Sequence, residues 1–198
     1  MTRNTEVDFD VMVEKLAELK DTSELMIDLA YSALLLNSKE LAEEVQRLEE
    51  HVDELHTEFE LLVLSSGFRK EEAKGLLGLI RLGVAAEKIS DAAAQIAEVV
   101  LRGIEPHQVL KLTIEEAEET IVYTTVTGES ALVGKTLREA RIPEETGMWI
   151  LAIKRNGKCI RPRSDSRIQA GDIIIASGYA EGADDLRELA SPSSKDLE

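Results

Sequence analysis

One cysteine in 198 residues, Cys159, excludes an internal disulfide framework and any Cys-x-x-Cys metal knuckle. No apolar run is long enough to cross a membrane, which takes about 20 residues in a helix. The best stretch, residues 75–80, is broken by Arg81 and then by Glu87 and Lys88. The opening MTRNTEVDFD has no apolar core of the kind a secretory signal carries. Cations are in the minority, 23 Lys and Arg against 39 Asp and Glu, for a net charge of −16. That balance argues against a general nucleic-acid binder and against docking on anionic lipid, both of which depend on surface cations. Phosphate-cradling and nucleophile motifs (GxGxxG, GxxxxGK[ST], GxSxG, HExxH) are missing, and His51 and His107 have no Cys or Ser at an informative spacing. The expectation is a cytoplasmic protein that is not an enzyme.

What is present is a hydrophobic fraction of 43%, enough for a packed core, arranged in two different patterns. The first hundred residues are helical in period. Leu41, Val45, Leu48, Val52, Leu55, Phe59 and Leu62 alternate in steps of 4 and 3, one stripe of a helix. Ser38 is a candidate N-cap before it and Gly67 a candidate stop after it. Residues 7–36 carry a similar stripe through Met12, Leu16, Leu19, Met26, Ile27, Ala30 and Leu34. Residues 70–101 carry Leu76, Ile80, Val84, Ile89, Ala93, Ile96 and Val100, with alanines that let a neighbour approach closely. Three long antiparallel helices are predicted, turning near residues 37–38 and 65–68. Gly103 and Pro106 end the third.

After Thr120 the pattern turns to strands: residues 121–127 (IVYTTVT), 148–153 (MWILAI) and 172–177 (DIIIAS). Asn156-Gly157 is a strong hairpin signal, with residues 159–161 starting the return strand. Residues 132–141 and 181–189 are compatible with helix. The predicted architecture is a two-domain α+β protein: an antiparallel helical bundle over residues 1–106, a connector over 107–119, a small α+β domain over 120–190, and a tail over 191–198. Charge divides likewise. Residues 1–106 hold 11 basic and 23 acidic side chains, whereas residues 120–178 hold 9 and 6 and are locally positive.

The C-terminal segment resembles the TrkA-C domain, the C-terminal lobe of RCK (regulator of potassium conductance) proteins. The carriers are Ala131-Leu132-Val133-Gly134-Lys135-Thr136-Leu137, Gly147 ahead of Ile150-Leu151-Ala152-Ile153, Lys154-Arg155-Asn156-Gly157, Ile160, Pro162, and Gly171-Asp172 opening the last strand. The N-terminal segment resembles one three-helix repeat of PhoU, through the run from Glu49 to Glu54 and through Glu87-Lys88-Ile89-Ser90-Asp91 followed by Gln95-Ile96-Ala97-Glu98. The pairing looks like a group of prokaryotic regulators of potassium channels and transporters. It implies a cytoplasmic accessory subunit that senses a ligand or ion through a TrkA-C homodimer and acts on a membrane cation channel or transporter. The PhoU-like half alone implies an alternative, a protein of phosphate or divalent-metal homeostasis or signalling.

Two candidate sites follow. PhoU relatives carry a Glu-xxx-Asp motif on two helices, matched here by Glu49 and Asp53 and by Glu87 and Asp91. Residues i and i+4 share a helix face, so each pair offers oxygens to one divalent or ferric ion. Acidic pairs at this spacing also recur at Glu14/Glu18, Glu24/Asp28, Glu40/Glu44 and Glu50/Glu54, where they read as a solvated face. His56 stands where the family usually has an acid. TrkA-C relatives pair as dimers, and some hold a cyclic dinucleotide between protomers. The cations Lys135, Arg138, Lys154, Arg155, Lys158 and Arg161, with Trp149 as a stacking surface, are the candidate anion or nucleotide site. Dinucleotide-binding relatives tend to have an Arg and an Asn where this chain has Pro143 and Trp149. Cys159 is expected in the core.

Overall fold

The computed structural model describes residues 4–66, 70–103, 109 and 119–192. The expected connector, the tail and the stop at Gly67 fall almost wholly outside them. The described residues form two compact units, one of three helices and one around a sheet. Helix α1 spans Asn4–Leu36, α2 Lys39–Ser65 and α3 Ala73–Leu101. Asn37 turns the chain between α1 and α2 with φ of +48°, a left-handed conformation that Asn tolerates. Gly103, at φ +64°, follows α3 as an αL terminator.

Helix packing is fixed by side-chain contacts. Lys15 Nζ meets Glu58 Oε2 at 2.5 Å and Glu18 meets His51 Nε2 at 3.1 Å, so α1 and α2 run antiparallel. Gln46 donates to the Ala94 carbonyl at 3.0 Å, and a Cβ at Gly83 would sit 3.1 Å from Phe59 Cδ1, so α2 and α3 are antiparallel too. Ser23 Oγ donates to the Ala86 carbonyl at 2.9 Å and Ser90 Oγ to Met26 Sδ at 3.0 Å, which makes α1 and α3 parallel. On α2 the predicted stripe is largely buried, with Leu41, Val45, Val52, Leu55 and Phe59 in the core and Leu48 and Leu62 half-buried at its edge. On α3 the expected face differs from the observed one. The core takes Leu76, Gly83, Ala86, Ser90, Ala93, Ala94, Ala97 and Val100, while Ile89 is 44% exposed and Leu77 and Leu82 face outward. From Gly83 to Ala97 the buried residues are small because α3 packs closely on two helices at once; Leu76 and Val100 are buried nearer its ends.

The second unit is a four-stranded antiparallel sheet in the order β1-β4-β2-β3: β1 Glu119–Thr125, β2 Met148–Arg155, β3 Lys158–Ile160 and β4 Ile173–Tyr179. Two short helices, α4 Leu137–Ala140 and α5 Ile142–Thr146, lie between β1 and β2, and α6 Gly182–Ala190 closes the unit. The helix expected over residues 132–141 is thus shorter and continues as a second turn beyond Arg141, whose φ of +49° breaks the helical run. Thr136 and Glu139 form a capping box at the start of α4. Asn156 (φ +52°) and Gly157 (φ +80°) make the two-residue β2–β3 turn, with Arg155 paired to Lys158. One sheet face packs Val122, Ile174, Ala176 and Met148 under Ile142 and Leu186. A register shift between Ile150 and Ala152 bulges β2 at Leu151. Ahead of it, Met148 turns to the core and Trp149 turns outward, 65% exposed. Gly182 is obligatory: a Cβ there would lie 1.7 Å from the Thr146 carbonyl oxygen.

Candidate functional sites in the two units

In the sheet unit, α4, α5, the start of β2 and the segment after β3 enclose a cavity of about 440 Å³. Its walls are Leu137, Ile142, Pro143, Trp149, Ile150 and Pro162, and Arg138, Arg141, Glu144, Arg163 and Ser164 supply its polar groups. The capping box holds the first turn of α4, so Arg138 is presented to the cavity, where its Nη2 donates to Ser164 Oγ at 3.0 Å. The left-handed backbone at Arg141 turns the chain so that Ile142 enters the core while Arg141 stays at the cavity wall, 3.9 Å from Glu144. An aromatic face beside three guanidinium groups suits a flat, anionic ligand: the ring stacks and the planar forks take phosphate or carboxylate.

The structure divides the seven residues singled out from sequence. Arg138 and Trp149 line the cavity; Lys135, Lys154, Arg155, Lys158 and Arg161 do not. Lys135 and Lys158 are exposed elsewhere, Arg161 is half-buried, and Lys154 is buried opposite Ile173, on the sheet face away from Ile174 and Ala176. Arg155 is committed to the fold. Its Nε and Nη2 donate to the two oxygens of Asp172 at 2.7 Å each, and Nη2 also donates to the Arg167 carbonyl at 2.7 Å. The Asp172 side chain is 1% exposed and also accepts from the Gln169 backbone at 2.8 Å. Hydrogen bonding to Asp172 raises the Arg155 pKa further above its ordinary value. The candidate set drawn from sequence held neither Arg141 nor Arg163. The signal for the first was weak: a cation before Ile-Pro, where a helix must break.

In the helical unit, the carboxylates of Glu49, Asp53 and Asp91 come together, each offering an oxygen within 4.8 Å of the others. The i, i+4 spacing puts the first two on one face of α2, and the antiparallel partner α3 brings Asp91 opposite. Glu87, one turn away on α3, is outside this trio but near enough to act on it. Glu49 has its pKa raised by burial first, then by the charges of Asp53, Asp91, Glu50 and Glu87. His56 lies at the α2–α3 contact with Nε2 3.5 Å from Glu60, apart from the trio. Three oxygen donors whose mutual repulsion a cation would relieve fit a hard ion.

Against known proteins, residues 16–100 match the PhoU domain family and residues 121–191 the TrkA-C domain family. The chain is therefore a PhoU-like helical domain followed by a TrkA-C domain. A probable potassium channel protein 2 of Methanocaldococcus jannaschii is 33% identical over 91 residues, which is 44% of this chain. The chain spans about a quarter (26%) of that relative's length. Among solved structures, the RCK_C domain dimer of S. agalactiae BusR in complex with c-di-AMP is 28% identical, with a TM-score of 0.34, covering 35% of this chain and 92% of that one. The RCK C domain of the potassium transport protein KtrA, in complex with cyclic diadenosine monophosphate, is 26% identical, with a TM-score of 0.34, covering 41% and 94%. No described helix is long and apolar enough to cross a membrane.

Proposed function

We propose that this chain is a non-enzymatic regulatory subunit of a cation transport system, most naturally one for potassium, acting from the cytoplasm on a membrane channel or transporter. Two copies pair through the TrkA-C domains, and the cavity beside Trp149 takes a small anionic ligand, a nucleotide by preference. The observation that carries this is the cavity itself, in which Arg138, Arg141 and Arg163 stand around a single exposed tryptophan and two prolines. The TrkA-C match and the potassium-channel relative support the transport setting. A ligand there regulates by its differential affinity for two arrangements of the pair, and the helical domain passes that bias to the membrane partner. Neither nucleic acid nor direct membrane insertion enters this reading, in keeping with the net charge of −16.

Trp149 is the chain's only tryptophan, so its fluorescence reports on the cavity alone. Titration with cyclic dinucleotides and adenine nucleotides should give a saturable change with a dissociation constant in the micromolar range or weaker. Micromolar affinity corresponds to about 8 kcal/mol. Losing one charged hydrogen bond forfeits about 1.5–3 kcal/mol, so Arg138→Met should weaken binding by one to two decades. A flat response at millimolar ligand would leave the TrkA-C domain as a pairing module without a sensing role.

A second reading concerns the helical unit, supported by the convergence of Glu49, Asp53 and Asp91. A divalent or ferric ion held there, with Glu87 as a further ligand, would make the PhoU-like domain an ion sensor and favour divalent-metal homeostasis. Melting with excess metal and with chelator decides it: a bound ion raises stability by mass action, and Glu87→Gln with Asp91→Asn should abolish the gain.

A further inference from the structure

The outward face of α1 and α3 plays no part in either site. Between these two helices runs a groove of about 480 Å³ lined by Val13, Leu16, Ala17, Leu82, Ala85 and Ile89, with Lys20, Ser23 and Glu24 at its edge. Val13 is 67% exposed and Leu82 57%. We propose that this face docks on the same face of a second copy, with α1 of one lying over α3 of the other.

Three observations select that occupant. The face offers both knobs, Val13, Leu82 and Ile89, and a groove able to receive such side chains, so it complements itself. The two helices carry opposite charge along the exposed stripe. On α1 it has Asp10, Glu14, Asp21 and Glu24 against Lys20, which pairs within the helix with Glu24 at 2.9 Å and Asp21 at 3.3 Å; on α3 it has Lys74, Arg81 and Lys88 without an acid. Finally, the registers agree. Ser23 is level with Ala86 and Met26 with Ser90, 63 and 64 residues apart. A two-fold axis along the helices preserves that level while exchanging α1 for α3. Asp10 then stands opposite the partner's Lys74, and Glu24 opposite the partner's Lys88. A two-fold axis across the helices would instead lay acidic α1 on acidic α1, where like charges repel.

The test uses the full chain. Copies grown in ¹⁴N and ¹⁵N media are mixed, coupled with a zero-length carbodiimide, and digested for mass spectrometry. The expected products are mixed-isotope peptides joining Lys88 to Glu24 and Lys74 to Asp10. Leu82→Glu, a change at a solvent-facing position that leaves the fold intact, should cut their yield about tenfold, as a charge entering an apolar contact would. Links between α1 and α3 found only within one isotope would overturn the proposal, as would mixed links joining α3 to α3 or yields indifferent to Leu82→Glu. Pairing through the TrkA-C domains gives its own links, within residues 120–190, so the two readings fail separately.

Discussion

Arg155 belongs to the locally basic hairpin that the sequence marks as a ligand site, yet the structure ties it to Asp172. Replacing it with Met keeps the length and apolar stem of the side chain and removes the charge. Asp172 would then lose two hydrogen bonds of 2.7 Å while staying 1% exposed, keeping, among the described residues, its bond from the Gln169 backbone. Breaking a buried pair by removing one partner costs about 3–5 kcal/mol. Arg155 keeps 26% of its side chain in solvent, and screening there brings the expectation down to about 3 kcal/mol. In a unit of this size each kcal/mol moves Tm by roughly 4–8 °C, so Arg155→Met should lower the sheet unit's transition by more than about 10 °C. Asp172→Asn, and the double variant, complete a cycle in near-UV dichroism or calorimetry. The coupling energy should reach about 2 kcal/mol. Additive effects, or a Tm loss under 3 °C for Arg155→Met, would refute the assignment and return Arg155 to the ligand site.

Gly182→Ala would drive a methyl group into the Thr146 carbonyl and should destabilise the sheet unit by more than about 4 kcal/mol, visible as loss of its melting transition; a near-normal Tm would contradict the packing. Trp149→Ala, at a 65% exposed position, should change stability by less than about 0.5 kcal/mol while weakening any nucleotide response. Glu49 binds its proton more tightly in the folded protein than in the unfolded chain, so its ionisation costs stability once the pH passes above the raised pKa. In metal-free protein, Glu49→Gln should therefore melt higher than wild type at pH 7. The gap should close as the pH falls toward the ordinary value of 4.5, and a gap that stays constant with pH would reject the repulsion.

The sequence alone settled what depends on period and on local backbone. Spacing in steps of 3 and 4 predicts α2 because burying a single stripe requires it. Asn156-Gly157 predicts the hairpin because few other residue pairs adopt two successive left-handed conformations at low cost. The Glu49/Asp53 pair is legible because i and i+4 share a face. The capping box of Thr136 and Glu139 was equally readable and was overlooked. What the tertiary structure decided is how elements meet. Periodicity cannot say which stripe of α3 goes inside, because both are apolar; close packing against two helices favours the glycine, serine and alanines along the middle of α3 and leaves Leu82 and Ile89 outward. The basic run reads as one patch along the chain. Alternation on the strand, the bulge at Leu151 and the buried Asp172 distribute it among the interior, the solvent and an ion pair. Arg138 and Trp149 reach one cavity only because α4, α5 and β2 close around it, a neighbourhood set by contacts between residues distant in sequence.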